Sequence, residues 1–292
     1  MIDILFVHSN ASAKIYQGLA TNNAAIEPPI WAAMLANSVR AAGYEAHILD
    51  AEAERIDYIE TARRISEYDA RIICFVVYGQ QPSASSQNME GACLTASEFK
   101  NFHPDSFVVF VGAHVSALPQ ETMQSHNFID ALCQNEGVYT LRDLLAVQNL
   151  KDEFILSRIK GLVFRNFQGQ VIMNEPSGIV PSNRLEIDLP GMAWDLLPPL
   201  KKYRTAGWHS WSNNSEKEPF AALYTSLGCP YRCSFCMINI INRTDQGSNI
   251  SAADSNKFRH WSPEFIIKQF DYFAAHGVKN IKIADELFVL KP

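Results

Sequence analysis

Three cysteines of the segment GCPYRCSFC, Cys229, Cys233 and Cys236, fall within eight residues of one another, and no fourth follows. The spacing Cys-x3-Cys-x2-Cys puts three thiolates on one short loop. Thiolates hold iron–sulfur clusters, four of them for a closed cubane. With three, one iron keeps an open position, the difference that separates a catalytic metal site from a structural one. Two other chemistries compete. Structural zinc draws on four Cys or His ligands, and the available histidines, His209 and His260, stand at no familiar spacing. A redox dithiol over Cys233-x-x-Cys236 belongs after the first strand of a thioredoxin fold, and this pair lies far along the chain. The open cluster is the expected assignment. A second constellation is the carboxylate pair Asp285-Glu286 in IADELF, at the end of an apolar run, where such groups either face a site mouth or are simply solvated.

Other cysteines carry no such pattern. Cys74, Cys93 and Cys133 lie scattered in apolar segments and read as small core residues. Six cysteines in 292 residues without a leader-like N-terminus do not read as a disulfide framework. The formal charge of −6 and the absence of a basic run argue against nucleic acid as a partner. Apolar runs such as IICFVVY (72–78) are too short to span a bilayer and have the length of buried strands. A cytoplasmic location is expected.

The elements that must position these groups are legible as alternating patterns. Residues 1–150 read as strand–helix cycles: IDILFVH (2–8), a helix opened by Pro28-Pro29 and closed by Gly43, YEAHILD (44–50), a helix over 55–68, RIICFVVY (71–78), a helix over 86–102, SFVVFVG (106–112), then FIDALC (128–133) and a helix over 138–148. Five such cycles predict an α/β fold with an open, doubly wound parallel sheet, Rossmann-like, covered by helices on both faces. Residues 151–218 change character, with a hairpin over 161–174 and a Pro-rich extended connector over 183–203. From 219 a strand runs into the cysteine loop. Ser262-Pro263-Glu264 caps a helix with Phe265, Ile266, Phe270 and Phe273 on one face, and 278–288 forms a further strand. That is the start of a β/α barrel. Because a whole barrel takes about 200–250 residues, the 219–292 part is expected to be incomplete and this chain to be a fragment.

CPYRCSFC, with an aromatic residue before the last cysteine, resembles the signature of radical S-adenosylmethionine enzymes. The resemblance implies a 4Fe–4S cluster on Cys229, Cys233 and Cys236 whose open iron chelates S-adenosylmethionine, cleaved to give a 5′-deoxyadenosyl radical. It further implies that Phe235 lies against the adenine and that Asp285 or Glu286 contacts the methionine amino group. The N-terminal segments PPIWAAMLANSVRAAGYEAHILDAE, VGAHVSALPQET and CQNEGVYTLRDLL, followed by DLPGMAWDLLP, are similar in order to the cobalamin-binding subgroup of that family. On this resemblance cobalamin lies across the carboxyl ends of the strands. Loops 9–27, 79–85 and 112–118 meet there, with Ser9, Asn10, Tyr78, Gly79, Gln80, Gly112, His114 and Ser116 as the expected contacts. The chain lacks the Asp-x-His-x-x-Gly motif by which many cobalamin proteins ligate cobalt. His8 stands at the right strand end without that spacing and reads as a strand-terminal polar residue.

The function implied is methyl transfer from methylcobalamin to an unactivated carbon. The alternatives are a non-methylating member such as a tetrapyrrole cyclase-like oxidoreductase, or a non-catalytic cofactor-binding fragment. Implied partners are a small-molecule or lipid/tetrapyrrole-like substrate and an electron donor such as flavodoxin or ferredoxin. Trp208, His209 and Trp211, just ahead of the barrel strand, read as packing aromatics.

Overall fold

The computed structural model describes residues 1–12, 15, 24–79, 81, 84–205, 219–231, 233, 236, 238, 242 and 258–288. Strands β1 (Ile2–His8), β2 (Ala46–Asp50), β3 (Ala70–Val76), β4 (Phe107–Val111) and β5 (Ala131–Cys133) pair in parallel. Two more, β6 (Leu162–Arg165) and β7 (Val171–Met173), extend the same sheet antiparallel, in the order β2-β1-β3-β4-β5-β6-β7. The predicted hairpin is therefore the far edge of the sheet.

The strands are apolar on both sides because both sides are covered. Ile4, Phe6, Cys74 and Val109 face one layer, with helices α1 (Ile30–Ala41) and, after β5, Val138–Ala146. Leu5, Val7, Ile73, Phe75, Val108 and Phe110 face the other, against helical residues Ala62, Ile65, Met89, Ala92, Ala96 and Phe99. Numbered along the chain after α1, the helices are α2 (Ala51–Glu54), α3 (Tyr58–Ile65), α4 (Ala84–Phe102), α5 (Ala113–Ala117), α6 (Pro119–Ser125), α7 (Val138–Ala146), α8 (Glu153–Leu156), α9 (Leu185–Asp188) and α10 (Pro263–Ala275). The helix expected over 55–68 is shorter. Asp57 accepts the Glu60 amide as N-cap, and α3 ends at Ile65 in a 3-10 turn over Ser66–Tyr68. The segment expected as a loop at 112–118 contains α5.

The connector motif DLPGMAWD is a row of bolts. The Asp188 carboxylate accepts from Arg142 (2.8 Å), Arg184 (2.9 and 3.0 Å) and the Tyr139 hydroxyl (2.8 Å). Leu189 carbonyl accepts the Trp261 indole (2.9 Å) and Pro190 carbonyl accepts Asn37 (3.0 Å). Gly191 sits at φ +80°, where Phe265 already stands 3.1 Å from any added Cβ. Ala193 donates to the Ala33 carbonyl (3.1 Å), Trp194 meets the Phe273 ring edge-on at 4.9 Å, and Asp195 pairs with Arg40 (2.9 Å). The motif fastens α1 and α7 of the sheet layer to α10.

Beyond the connector, β8 (Phe220–Leu223) pairs in parallel with β11 (Asn280–Ile283), with α10 between them in sequence. Ser262 caps α10 by accepting the Phe265 amide. The strand predicted over 219–228 is broken, and the cause is Asp285. Its carboxylate accepts the Thr225 amide (2.7 Å), the Thr225 hydroxyl (2.5 Å) and the Ser226 hydroxyl (2.6 Å). The chain leaves the β8 ladder there. Residues 226–227 form β9 (Ser226–Leu227) and pair antiparallel with β10 (Arg259–His260). The strand expected over 278–288 ends at Ile283, before both acidic residues. Among the described residues no helix is long and apolar enough to cross a membrane.

Asp188 has only 3% of its side chain exposed, and its Arg184 and Arg142 partners hold its carboxyl well below the usual carboxylate range. Removing one member of a buried ion pair costs about 3–5 kcal/mol. Asp188→Ala is expected to lower the unfolding free energy by about 3 kcal/mol, read as a lower urea midpoint at unchanged slope. The folded pKa is depressed, so the contribution is present above the unfolded value of 3.8 and is lost as pH falls through the folded one. The gap between wild type and variant should therefore be full at neutral pH and close in strong acid.

Candidate active site

Parallel strands place all their carboxyl ends on one edge, and the groups of interest gather there. A cleft lies between this edge and the unit built on β8–β11. From the sheet it is lined by Trp31, Tyr78, Gly79, Ala113 and Glu136, and from the other side by Tyr224, Leu227, Gly228, Ile238, Asn242, Arg259 and Glu286. A second cavity, lined by His8, Ser12, Glu27, Glu52, Gln87 and Asn88 among others, shares Trp31, Tyr78 and Gly79 with the first. The Trp31 and Tyr78 rings stack between the two, with centroids 4.4 Å apart and planes 19° from parallel.

The cysteine loop opens directly from the cleft. Gly228 lines it and Cys229 follows, half-buried, as is Cys236, while Cys233 is exposed. All three are free thiols, and the Cys236 amide donates to the Cys233 carbonyl at 3.1 Å. Among the described residues no three His, Cys, Asp or Glu side chains converge to hold a single metal ion. Phe235 and Gln80 lie outside the described residues, as do Trp208, His209 and Trp211.

The two adjacent carboxylates divide their work. Asp285 is spent on Thr225 and Ser226 and shapes the approach to the loop. Glu286 lines the cleft, and its buried Oε2 has no partner among the described residues. Burial, together with the charge of Asp285, pushes its carboxyl up.

The predicted sheet-edge residues divide in the same way. Tyr78 lines both cavities and donates its hydroxyl to the Asn135 carbonyl at 2.6 Å. Gly79 is required by packing, since a Cβ there would stand 2.3 Å from that of Ala84. Ser9 is buried, and its hydroxyl has no partner among the described residues. Asn10 holds the turn into its loop, donating to the Ile56 carbonyl and accepting from Ser12. Gly112 is packed against Val77, 2.7 Å from an added Cβ. Ser116 spends its hydroxyl on the Gly112 and Asn135 carbonyls. His114 bonds to Ser86 through Nδ1 (2.9 Å), and burial lowers its pKa. Gly112, His114 and Ser116 line neither cavity.

Several site residues escaped the sequence reading. Trp31 read as a core position of α1. Gln134, just after β5, is 1% exposed, and both its side-chain amide atoms lack a partner among the described residues. Glu136 and Arg259 form an ion pair at 2.5 Å with about 5% and 3% of their side chains exposed. Their sequence surroundings, Gln134-Asn135 before Glu136 and Lys257-Phe258 before Arg259, carry no signal that would mark them.

His8 proves to be part of a network. Its Nδ1 donates to Asp50 (3.0 Å), which also accepts from the Tyr203 hydroxyl (2.8 Å) and the Ala53 amide (3.2 Å). Burial disfavours the imidazolium, yet the charge and hydrogen bond of Asp50, with the charge of Glu52, outweigh it and raise the pKa. Burial lifts Glu52 to about 7 against the pull of His8.

A family model described as the B12 binding domain matches residues 16–145. The chain is 29% identical over 264 residues to an uncharacterized methyltransferase of Pyrococcus horikoshii, covering 90% of this chain and 50% of the relative. It is 27% identical over 206 residues to the cobalamin-dependent radical SAM methyltransferase TokK of Streptomyces tokunonensis, covering 70% of this chain and 27% of that one. Its fold matches the radical S-adenosylmethionine methyltransferase TsrM from Kitasatospora setae, solved with cobalamin and a [4Fe-4S] cluster bound. The TM-score is 0.62 over 98% of this chain and 49% of that one, at 17% identity. The chain thus spans half or less of the length of these relatives. The sheet is an α/β domain of the B12-binding type, and the cysteine unit joined to it is a parallel strand–helix–strand start of a β/α barrel. Residues 16–145 match the B12 binding domain, and the chain as a whole is similar to cobalamin-dependent radical S-adenosylmethionine methyltransferases.

The Glu52 carboxyl gives a pH test. Its folded pKa, about 7, lies above the unfolded value of 4.5, so its contribution to stability is full below 4.5 and is lost as pH rises through 7. Urea midpoints of the cofactor-free protein should fall across that window, and Glu52→Gln should flatten that component. An unchanged pH profile in the variant would show that Glu52 is not the group responsible.

Proposed function

We propose that the whole protein is a cobalamin-dependent radical S-adenosylmethionine methyltransferase acting on an unactivated carbon of a small molecule. The observation that carries this reading is the cleft shared by the carboxyl edge of a B12-binding-type sheet and a three-thiolate loop. In this reading residues 1–150 hold cobalamin, 151–218 connect, and 219–292 begin the barrel that carries cluster and S-adenosylmethionine.

The residues fit such groups on their own chemistry. Cys229, Cys233 and Cys236 are unpaired thiols on one loop, the donor set of a cluster with one open iron. At the carboxyl ends of β1, β5 and β11, Ser9, Gln134 and Glu286 have buried polar atoms with no partner among the described residues. Leaving such groups unsatisfied costs about 1–3 kcal/mol each, so a polar ligand along this edge has bonds waiting for it. When bound, the cluster with S-adenosylmethionine supplies one-electron chemistry and cobalamin supplies a methyl carrier.

The chain's own part is to bind and orient. Glu286, whose Oε2 has no partner among the described residues, would receive the ammonium of S-adenosylmethionine. Asp285 holds Thr225 and Ser226 so that the loop leaves β8 at a fixed angle. Phe235 is assigned to the adenine. Ser9, Asn10, Tyr78, Gly79 and Gln80 border the corrin, while Gly112, His114 and Ser116 support the loop beside it from behind. The stacked Trp31 and Tyr78 limit water in the cleft, as radical chemistry demands. We assign the electron supply to a flavodoxin or ferredoxin and the location to the cytoplasm.

Anaerobic reconstitution of the chain tests the reading. Iron and sulfide should bind as one 4Fe–4S unit, and Cys233→Ala should lose it. Hydroxocobalamin should be retained at one equivalent through gel filtration. A full cubane in the Cys233 variant, or no cobalamin absorbance in the wild type, would reject it.

A further inference from the structure

The Glu136–Arg259 pair closes a ring. Arg259 Nη2 donates to Glu136 Oε1 (2.5 Å) while Nη1 donates to the Val180 carbonyl (2.6 Å), and the Val180 amide donates to Glu136 Oε2 (2.8 Å). Three chain segments meet at this one point: the turn after β5, the connector and β10. Both charged side chains also line the cleft.

Each side of the ring continues to one half of the site. On the sheet side, the neighbouring Asn135, at φ +58°, accepts the Tyr78 hydroxyl through its carbonyl and donates its amide to the Ser177 carbonyl (2.7 Å). Tyr78 leads to Gly79 and the cavity that abuts the sheet edge. On the other side, Arg259 is in register with Leu227, two residues before Cys229. A run of short bonds thus links the loop after β3 to the first cluster cysteine.

Adhesion alone does not account for the pair. Desolvating two charges costs several kcal/mol each, and an apolar pair of similar volume holds two surfaces together as well. What the fork of a guanidinium adds is direction, because it fixes carboxylate and carbonyl at set angles. We propose that Glu136 and Arg259, with Val180 between them, are positioning residues that set the gap between the sheet edge and the cysteine loop. This rests on the proposed function, in which the two sides of the gap would hold cobalamin and the cluster.

Two measurements on the full chain separate the inference from that reading. Hydrogen exchange of the cofactor-free protein needs no cofactor assignment. In Glu136→Gln, amides of 226–229 and 178–182 should exchange roughly 100-fold faster, the loss expected for a broken buried pair, while β1, β3 and β4 stay protected. In the loaded protein, the magnetic interaction between reduced cluster and cob(II)alamin should broaden in Glu136→Gln at unchanged iron and cobalt content. Arg259→Lys keeps the charge without the fork and should broaden it too, which keeps the test open if Glu136→Gln folds poorly. Unchanged exchange, or an unchanged interaction with both groups bound, would overturn the inference. Failure of wild type to bind either group would reject the functional reading, and exchange alone would then decide on the Glu136–Arg259 ring.

Discussion

Everything in the site follows from one constraint: parallel strands covered by helices on both faces leave only their carboxyl edge for a ligand. Strands β1, β3, β4 and β5 end together, and their faces are closed by apolar packing. Polar side chains at these ends have nowhere to go but toward the edge. Ser9, Gln134 and the His8–Asp50–Tyr203 network all stand there. The unit beyond residue 219 lies against the same edge, so the cysteine loop and the sheet edge bound a common space.

The bolted connector makes that arrangement definite. Two packed units joined by a plain linker are expected to move relative to each other. Here the segment between them is fastened at nearly every residue from Asp188 to Asp195, and Trp194 and Trp261 reach from it or to it across the junction. The Lys282–Glu27 pair (2.7 Å) ties β11 to the residues before α1. Binding geometry is thereby built into the backbone.

Sequence patterns gave access to whatever rests on local periodicity. The alternation of β1 to β5 with their helices, the Ser262 cap, the hairpin and the cysteine spacing depend on neighbours a few residues apart, and each was legible. The break after Leu223 was not, because Asp285 causes it from 60 positions away. Nor was the Glu136–Arg259 pair, separated by 123 positions. The same holds for His114 and Ser116. Their donor and acceptor groups invite a ligand on paper, and the fold spends them on Ser86, Gly112 and Asn135. Residue type tells what a side chain can do; only long-range pairing tells whether it is still available.

The stacked Trp31 and Tyr78 rings carry one more consequence. They border the cavity that holds His8 and Glu52 on one side and the cleft beside the cysteine loop on the other. Tyr224 leans on Trp31 at 6.3 Å from the far side. Where the two cavities meet, both are lined by Trp31, Tyr78 and Gly79. The boundary they share is thus shaped by the rotamers of two stacked rings, one of them fixed by the Tyr78 bond to Asn135.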